Sequence, residues 1–245
     1  MLGLFLVRFF APAWLHGTPE HHRSPSYSFN GLADPHATPR EYRDTLEGWF
    51  ADKLPDLNND DPRLGLYLAQ NAMWWTEIAQ LDGFRLDTFP YSTREFWSGW
   101  HERLLKVYPH LNDVGEVADP DSTITAFFEG GRKQFDGIDS GLATVFDFPL
   151  CNILRAVIIK GEPMKEIVDI LRHDDLYPHP EMLVTFFGNH DDTIHCMAMY
   201  VKRRIEQVGT PAAGGGYERE GFNRRRPNTG PAAVINDPRM AGPGK

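Results

Sequence analysis

The sequence predicts an α/β fold built on a parallel sheet. Two observations predict it. Apolar, strand-like runs alternate with helical patterns between about residues 80 and 208, giving four strand–helix units. Three of the strand-like runs also end at an acidic residue, the end at which parallel α/β folds collect their working groups.

The elements read in order along the chain. Residues 1–16 open with MLGLFLVRFF, an apolar run with one interior charge. It reads either as a weak export signal lacking a basic start and a clear cleavage site, or as the stump of a strand. Residues 17–60 are crowded with Gly, Pro, Ser, Asn and Asp and predict a long irregular loop with a short helix over 39–50. Asp61-Pro62 predicts a helix start, since Asp caps free N–H groups and Pro suits the first helical position. Leu64, Tyr67, Leu68, Trp74, Trp75 and Ile78 then recur at helical spacing.

Leu81 to Asp87 predicts a buried strand. Ser92 and Glu95 predict a capping box, and the helix behind it places Phe96, Trp97, Trp100, Leu104 and Leu105 on one side. Val114 to Val117 and Ala143 to Phe148 predict further strands, with helices over 152–160 and 164–173. Met182 to Phe187 predicts a fourth strand, running into Gly188-Asn189-His190-Asp191, and a last helix is expected over 195–208. Residues 209–245 turn Gly- and Pro-rich without apolar periodicity and predict a disordered tail.

Composition narrows function. Hydrophobic residues make up 41% of the 245, enough for a real core. A formal net charge of −9 argues against general nucleic-acid binding. No apolar run is long enough to span a bilayer, so no membrane partner is expected. Two cysteines make no disulfide framework and leave the compartment, cytoplasmic or exported, open. Oligomeric state is equally open.

Asp87 closes DGFRLD, Glu116 closes NDVGE and Asp191 closes TFFGNHD. Glu116 stands 29 residues after Asp87, about one βα unit, and Asp191 stands 75 further on, room for two more. Glycosidic bond cleavage needs such a set: one carboxylate attacks the anomeric carbon and a protonated one donates to the leaving oxygen. A single acid at a strand end is more often a helix cap or turn residue. Three of them, with Arg85 and His190 beside them, favour chemistry.

These stretches resemble the α-amylase family (family 13 of the glycoside hydrolases). DGFRLD is similar to its second conserved region, VGEV to its third, FFGNHD to its fourth, and LPDLN at Leu54 to Asn58 to its fifth. The four occur in the family's order over roughly residues 20 to 192. The resemblance implies a (β/α)8 TIM-type barrel, with residues 17–208 as a partial catalytic barrel. It implies Asp87 as nucleophile, Glu116 as general acid and base, and Asp191 as a transition-state binder. Arg85, His190 and Asn189 are implied as substrate-site residues, and Tyr27 and Phe29 in the long loop are the candidates for sugar stacking. The substrate implied is an α-glucan or maltooligosaccharide, cleaved with retention or transferred.

The chain also departs from the family. Its first conserved region, an Asp and an Asn-His pair, is not found, nor are the first barrel strands or a clear eighth. A barrel truncated at both ends is expected, and a non-catalytic, carbohydrate-binding fragment is the alternative reading. Pro90 and Tyr91 stand where α-amylases proper often carry Lys-His. No cofactor is expected: calcium is possible but unsupported by the residues present. His21-His22, and His190 with His195, fit no zinc spacing. Trp74, Trp75, Trp97 and Trp100 are expected in the core rather than on a sugar platform.

Overall fold

The computed structural model describes residues 12–51 and 53–191. The run over 1–11, the helix expected over 195–208, His195 and the tail from 209 lie outside the described residues.

Before the sheet, a 3-10 turn at Pro12–Trp14 is followed by one-turn helix α1 (Asn30–Ala33), then α2 (Pro39–Leu46) and α3 (Pro62–Ala79). Three short strands alternate with helices: β1 (Arg85–Leu86), α4 (Arg94–Val107), β2 (Val114–Gly115), α5 (Ser122–Phe128), β3 (Thr144–Val145) and α6 (Phe148–Arg155). A π turn at Ala156–Lys160 and helix α7 (Lys165–Leu171) follow.

The strands are parallel and adjacent in chain order, β1-β2-β3. Register pairs Arg85 with Val114 and Leu86 with Gly115, then Val114 with Thr144 and Gly115 with Val145. Met182 to Phe187 does not form the full strand expected. Pro180–Met182 is a 3-10 turn, and Val184 alone extends the sheet through a parallel bridge to Phe146. Val184 N–H donates to the Val145 carbonyl at 3.1 Å and Asp147 N–H to the Val184 carbonyl at 3.0 Å. Four chain segments thus run parallel, so residues following them gather at one end of the sheet. A closed barrel needs more strands than these.

Short strands are held in place by side chains. Leu86 and Val145 are buried. Phe89 stacks on Trp97 at 4.5 Å between centroids, and Trp97 Nε1 donates to the Phe89 carbonyl at 2.8 Å. His101 on α4 is buried, with Nδ1 2.8 Å from the Ser140 carbonyl and Nε2 3.5 Å from Asp113 Oδ2. Asp113 Oδ1 in turn accepts from Phe84 N–H at 2.7 Å. One buried pair therefore ties the helix behind the sheet to the lead-in of β1 and β2.

Two helix expectations change. The cap of α4 is Thr93, whose side chain accepts from Phe96 N–H, and no Ser92–Glu95 capping box forms. Ser92 Oγ instead accepts from Asn59 Nδ2 at 2.7 Å, which ties the loop to the helix start. Trp74 and Trp75 are exposed, not core. The side of α3 that is buried carries Leu64, Ala69, Ala72 and Thr76, and small residues there let it lie close to α4. Trp97 and Trp100 are buried as expected.

Candidate active site

Asp87 and Glu116 follow β1 and β2 by one residue, so the parallel register carries them to the same level. Glu116 N–H donates to the Leu86 carbonyl at 2.9 Å, and Phe89 N–H to the Glu116 carbonyl at 3.2 Å, which fixes both backbones. Gly115 is required between them: a Cβ there would lie 2.6 Å from Leu142 Cδ2 and 3.3 Å from Phe89 Cγ. The glycine lets the core close up beneath the acid that follows it.

Arg85 precedes Asp87 by two, so both side chains leave the same face of the strand. Its guanidinium bridges the two carboxylates: Nη1 donates to Asp87 Oδ1 at 2.7 Å, and Nη2 lies 2.8 Å from Glu116 Oε1. Glu116 Oε2 accepts from Thr88 N–H at 3.2 Å. Thr88 is left-handed, with φ 49°, a conformation a branched residue rarely adopts. Such strain gathers at functional sites, and here it turns one N–H onto Glu116.

The two acids differ in environment. The Asp87 side chain is 65% exposed and that of Glu116 only 11%. A hydrogen bond shared with Glu116, then the Arg85 charge and hydrogen bond and the His190 charge, holds Asp87 below the usual carboxylate range against some desolvation. Burial, then the shared hydrogen bond with Asp87, pushes Glu116 upward, against the Thr88 N–H and Arg85. Between the two, Glu116 therefore holds a proton more readily than Asp87. Different environments can thus push two neighbouring carboxylates apart in proton affinity.

The pair opens onto a cleft of roughly 840 Å³, whose walls also carry His190 and Asp191. His190 Nε2 lies 3.6 Å from Asp191 Oδ1, and both are exposed. Asn189 is not among the residues that line the cleft. Its Oδ1 accepts from Asp191 N–H at 3.1 Å and shapes the turn that presents Asp191.

Tyr27 reaches the cleft with 62% of its surface exposed. Phe29 also borders the cleft, but it is 4% exposed and packs edge-on against Tyr91 and Phe128, so little of its ring is open for stacking. Alternation along the extended loop decides this: aromatic residues two apart face alike only where the strand is flat, and α1 begins right after Phe29. Phe50 was not singled out in the sequence, yet it lines the cleft and is 42% exposed. Its neighbour Trp49 is fully buried, and the loop sequence itself carries no signal that tells the two rings apart.

Among the described residues, no three His, Cys, Asp or Glu side chains converge on a metal position. His22 stacks on Trp49 at 4.2 Å and points a ring nitrogen at the Thr18 carbonyl. Among the described residues no helix is long and apolar enough to cross a membrane.

The fold and the cleft define a parallel α/β domain of TIM-barrel type with its acids at the carboxyl ends of the strands. No family model matches the chain. A stretch of 148 residues is 30% identical to an α-amylase of Streptomyces lividans, covering 56% of this chain and 15% of that protein. An Anoxybacillus α-amylase structure superposes with a TM-score of 0.62 at 24% identity, covering 80% of this chain and 38% of that one. The Geobacillus thermoleovorans α-amylase solved with acarbose gives the same TM-score of 0.62 at 22% identity, covering 82% and 40%. The chain is thus similar to α-amylases in sequence over part of its length and in fold, and it spans well under half the length of these relatives.

Proposed function

We propose that this chain is a retaining glycoside hydrolase acting on α-glucosidic bonds of starch-like or maltodextrin chains. The carrying observation is Arg85 bridging Asp87 and Glu116 on a cleft also lined by His190 and Asp191. Two carboxyl groups held by one guanidinium are neighbours, which suits a retaining pair rather than the wider inverting set that leaves room for a water. The substrate class rests on relatives named as α-amylases and on the acarbose complex of one of them.

The residues divide the work as follows. Asp87, kept ionised by Arg85, attacks the anomeric carbon. The bond to the leaving oxygen breaks as Glu116 delivers its proton to that oxygen. The Glu116 carboxylate then takes a proton from water, whose oxygen attacks the same carbon and releases Asp87. Asp191 and His190 hold sugar hydroxyls and stabilise the ring as positive charge builds. Residues 17–60, which supply Tyr27 and Phe50, form the wall over the site.

Purified protein is incubated with maltooligosaccharides beside Asp87→Asn, and the anomeric proton of the first-formed product is followed by NMR. Early α-anomer in the parent and none from the variant is the expected result. Early β-anomer, or equal turnover by the variant, overturns the mechanism. A folded parent without turnover supports a fragment that at most binds carbohydrate.

A further inference from the structure

Among the described residues, two other than glycine take a left-handed backbone, Gln80 and Thr88. Gln80 closes α3, where that conformation is ordinary, and its N–H returns to the Thr76 carbonyl. Thr88 has no such use. Its side chain makes no capping bond to the 3-10 turn that follows it, Phe89–Tyr91. A β-branched residue fits poorly at φ 49° and ψ 40°, so its neighbours must hold it there.

Those neighbours are anchored. Phe89 is fully buried and stacked on Trp97, and its carbonyl accepts from Trp97 Nε1. Pro90 is fully buried too, and its ring fixes the backbone one step further on. Tyr91 N–H closes the turn onto the Thr88 carbonyl at 3.0 Å.

What the strain yields is direction. Thr88 N–H donates to Glu116 Oε2 at 3.2 Å, and the next N–H, of Phe89, donates to the Glu116 carbonyl at 3.2 Å. Two successive amides thus grip one residue, the first by its side chain and the second by its backbone. Arg85 meets the other oxygen, Oε1, but divides its guanidinium with Asp87. A carboxyl with a donor fixed on each oxygen is held in orientation, and such donors favour its ionised form. Burial and the bond to Asp87 push Glu116 up, and the Thr88 N–H opposes them more than Arg85 does.

Resting on the reading of Glu116 as the acid, we infer that Thr88 is a positioning residue: its left-handed backbone aims a main-chain N–H at Glu116, and that N–H takes up the charge left when the proton passes to the leaving oxygen. In that step the Glu116 O–H bond breaks, the proton goes to the leaving oxygen and the electron pair stays on the carboxylate. The hydrogen bond from Thr88 then becomes charge-assisted and strengthens. The other charged or titratable groups around Glu116 are Arg85 and Asp87 and, on the cleft walls, Tyr27, Asp56, Tyr91, His190 and Asp191. Replacing one amide alters none of them.

The test uses the full chain with glutamate carboxyls labelled with carbon-13, the Glu116 signal being assigned by its loss in Glu116→Gln. In the parent, the Thr88 amide proton should shift with pH along the same curve as the Glu116 carboxyl, and that shift should vanish in Glu116→Gln. Thr88 is then replaced by its α-hydroxy acid counterpart, which keeps the side chain and exchanges N–H for an ester oxygen. The Glu116 midpoint and the basic limb of kcat/KM on maltooligosaccharides should both rise by about one pH unit. Thr88→Gly keeps the N–H and relaxes the backbone, so its midpoint should stay with the parent's. A Thr88 amide that ignores Glu116 in the parent overturns the inference, whether or not the ester protein folds. An unmoved midpoint in the ester overturns it too, as does an equal shift in Thr88→Gly, which would assign the effect to the turn and not to the N–H. If the titrations move as expected in a parent without turnover, Thr88 keeps its hold on Glu116 and hydrolysis falls.

Discussion

Arg85 on β1 reaches past Asp87, just beyond the strand, to hold Glu116 just beyond β2 as well. One guanidinium therefore acts on both acids, beside the hydrogen bond they share. It draws Asp87 down and resists the rise that burial forces on Glu116.

Replacing that cation moves the pH profile of kcat/KM in a defined direction. In Arg85→Leu, Asp87 protonates at higher pH, so the acid limb shifts up. Glu116 also holds its proton to higher pH, so the basic limb shifts up with it. The maximal rate should drop about 10²–10³-fold, as for loss of one strong electrostatic contact. Initial rates across pH check this; an unmoved acid limb would show that Arg85 does not govern Asp87.

Glu116→Gln removes the proton donor and leaves the nucleophile. Hydrolysis of maltooligosaccharides should fall about 10²–10⁴-fold. Release of fluoride from α-maltosyl fluoride, which needs no proton, should fall far less in its first turnover. Burst kinetics of fluoride release measure the contrast, and equal losses for both substrates would count against Glu116 as the acid.

A buried cation secures the helix behind the site. Arg94 at the start of α4 is buried, lies 4.3 Å over the Phe127 ring and pairs with Asp136 at 2.9 Å. Asp136→Asn leaves that charge without its partner and should destabilise the fold by about 3–5 kcal/mol. The double variant Arg94→Met with Asp136→Asn should recover much of the loss. Urea unfolding of the three proteins measures it.

Glu129 ends α5 with its side chain fully buried, and burial pushes its carboxyl up to about 7, against the His179 backbone N–H and Arg132. A carboxyl whose folded value lies above its unfolded one favours folding most at low pH. That contribution is complete below the unfolded value, near 4.5, and is lost as pH rises through about 7. Glu129→Gln should flatten the fall in stability between pH 5 and pH 8, a slope amounting to about 3 kcal/mol at most. Melting temperatures at both pH values test it; parallel slopes would show that Glu129 is ionised throughout.

How much of this was legible in the sequence varies by residue and for physical reasons. Asp87 and Glu116 could be read because each closes a short strand-like run, within stretches that resemble conserved regions of the α-amylase family. Asp147 shows the limit of that logic. It also ends a strand, but its carboxylate accepts from Leu150 N–H at 2.9 Å and caps α6. Trp74 and Trp75 keep helical spacing yet stand exposed, because the smaller Ala69 and Ala72 face α4 instead. Phe29 was chosen and Phe50 passed over because a loop has no fixed period from which to read facing. The fourth strand shrank to a bridge at Val184, since β-rich composition does not specify how many residues a neighbour pairs.

In the proposed mechanism Asp87 makes the bond to sugar. The most direct measurement is mass spectrometry of peptides after brief exposure to a fluorinated α-glycosyl fluoride that forms the covalent intermediate quickly and releases it slowly. A single added glycosyl mass on the peptide containing Asp87, absent in Asp87→Asn, is the predicted result. Turnover of the reagent with the label on another residue, or with no label on any peptide, would contradict it.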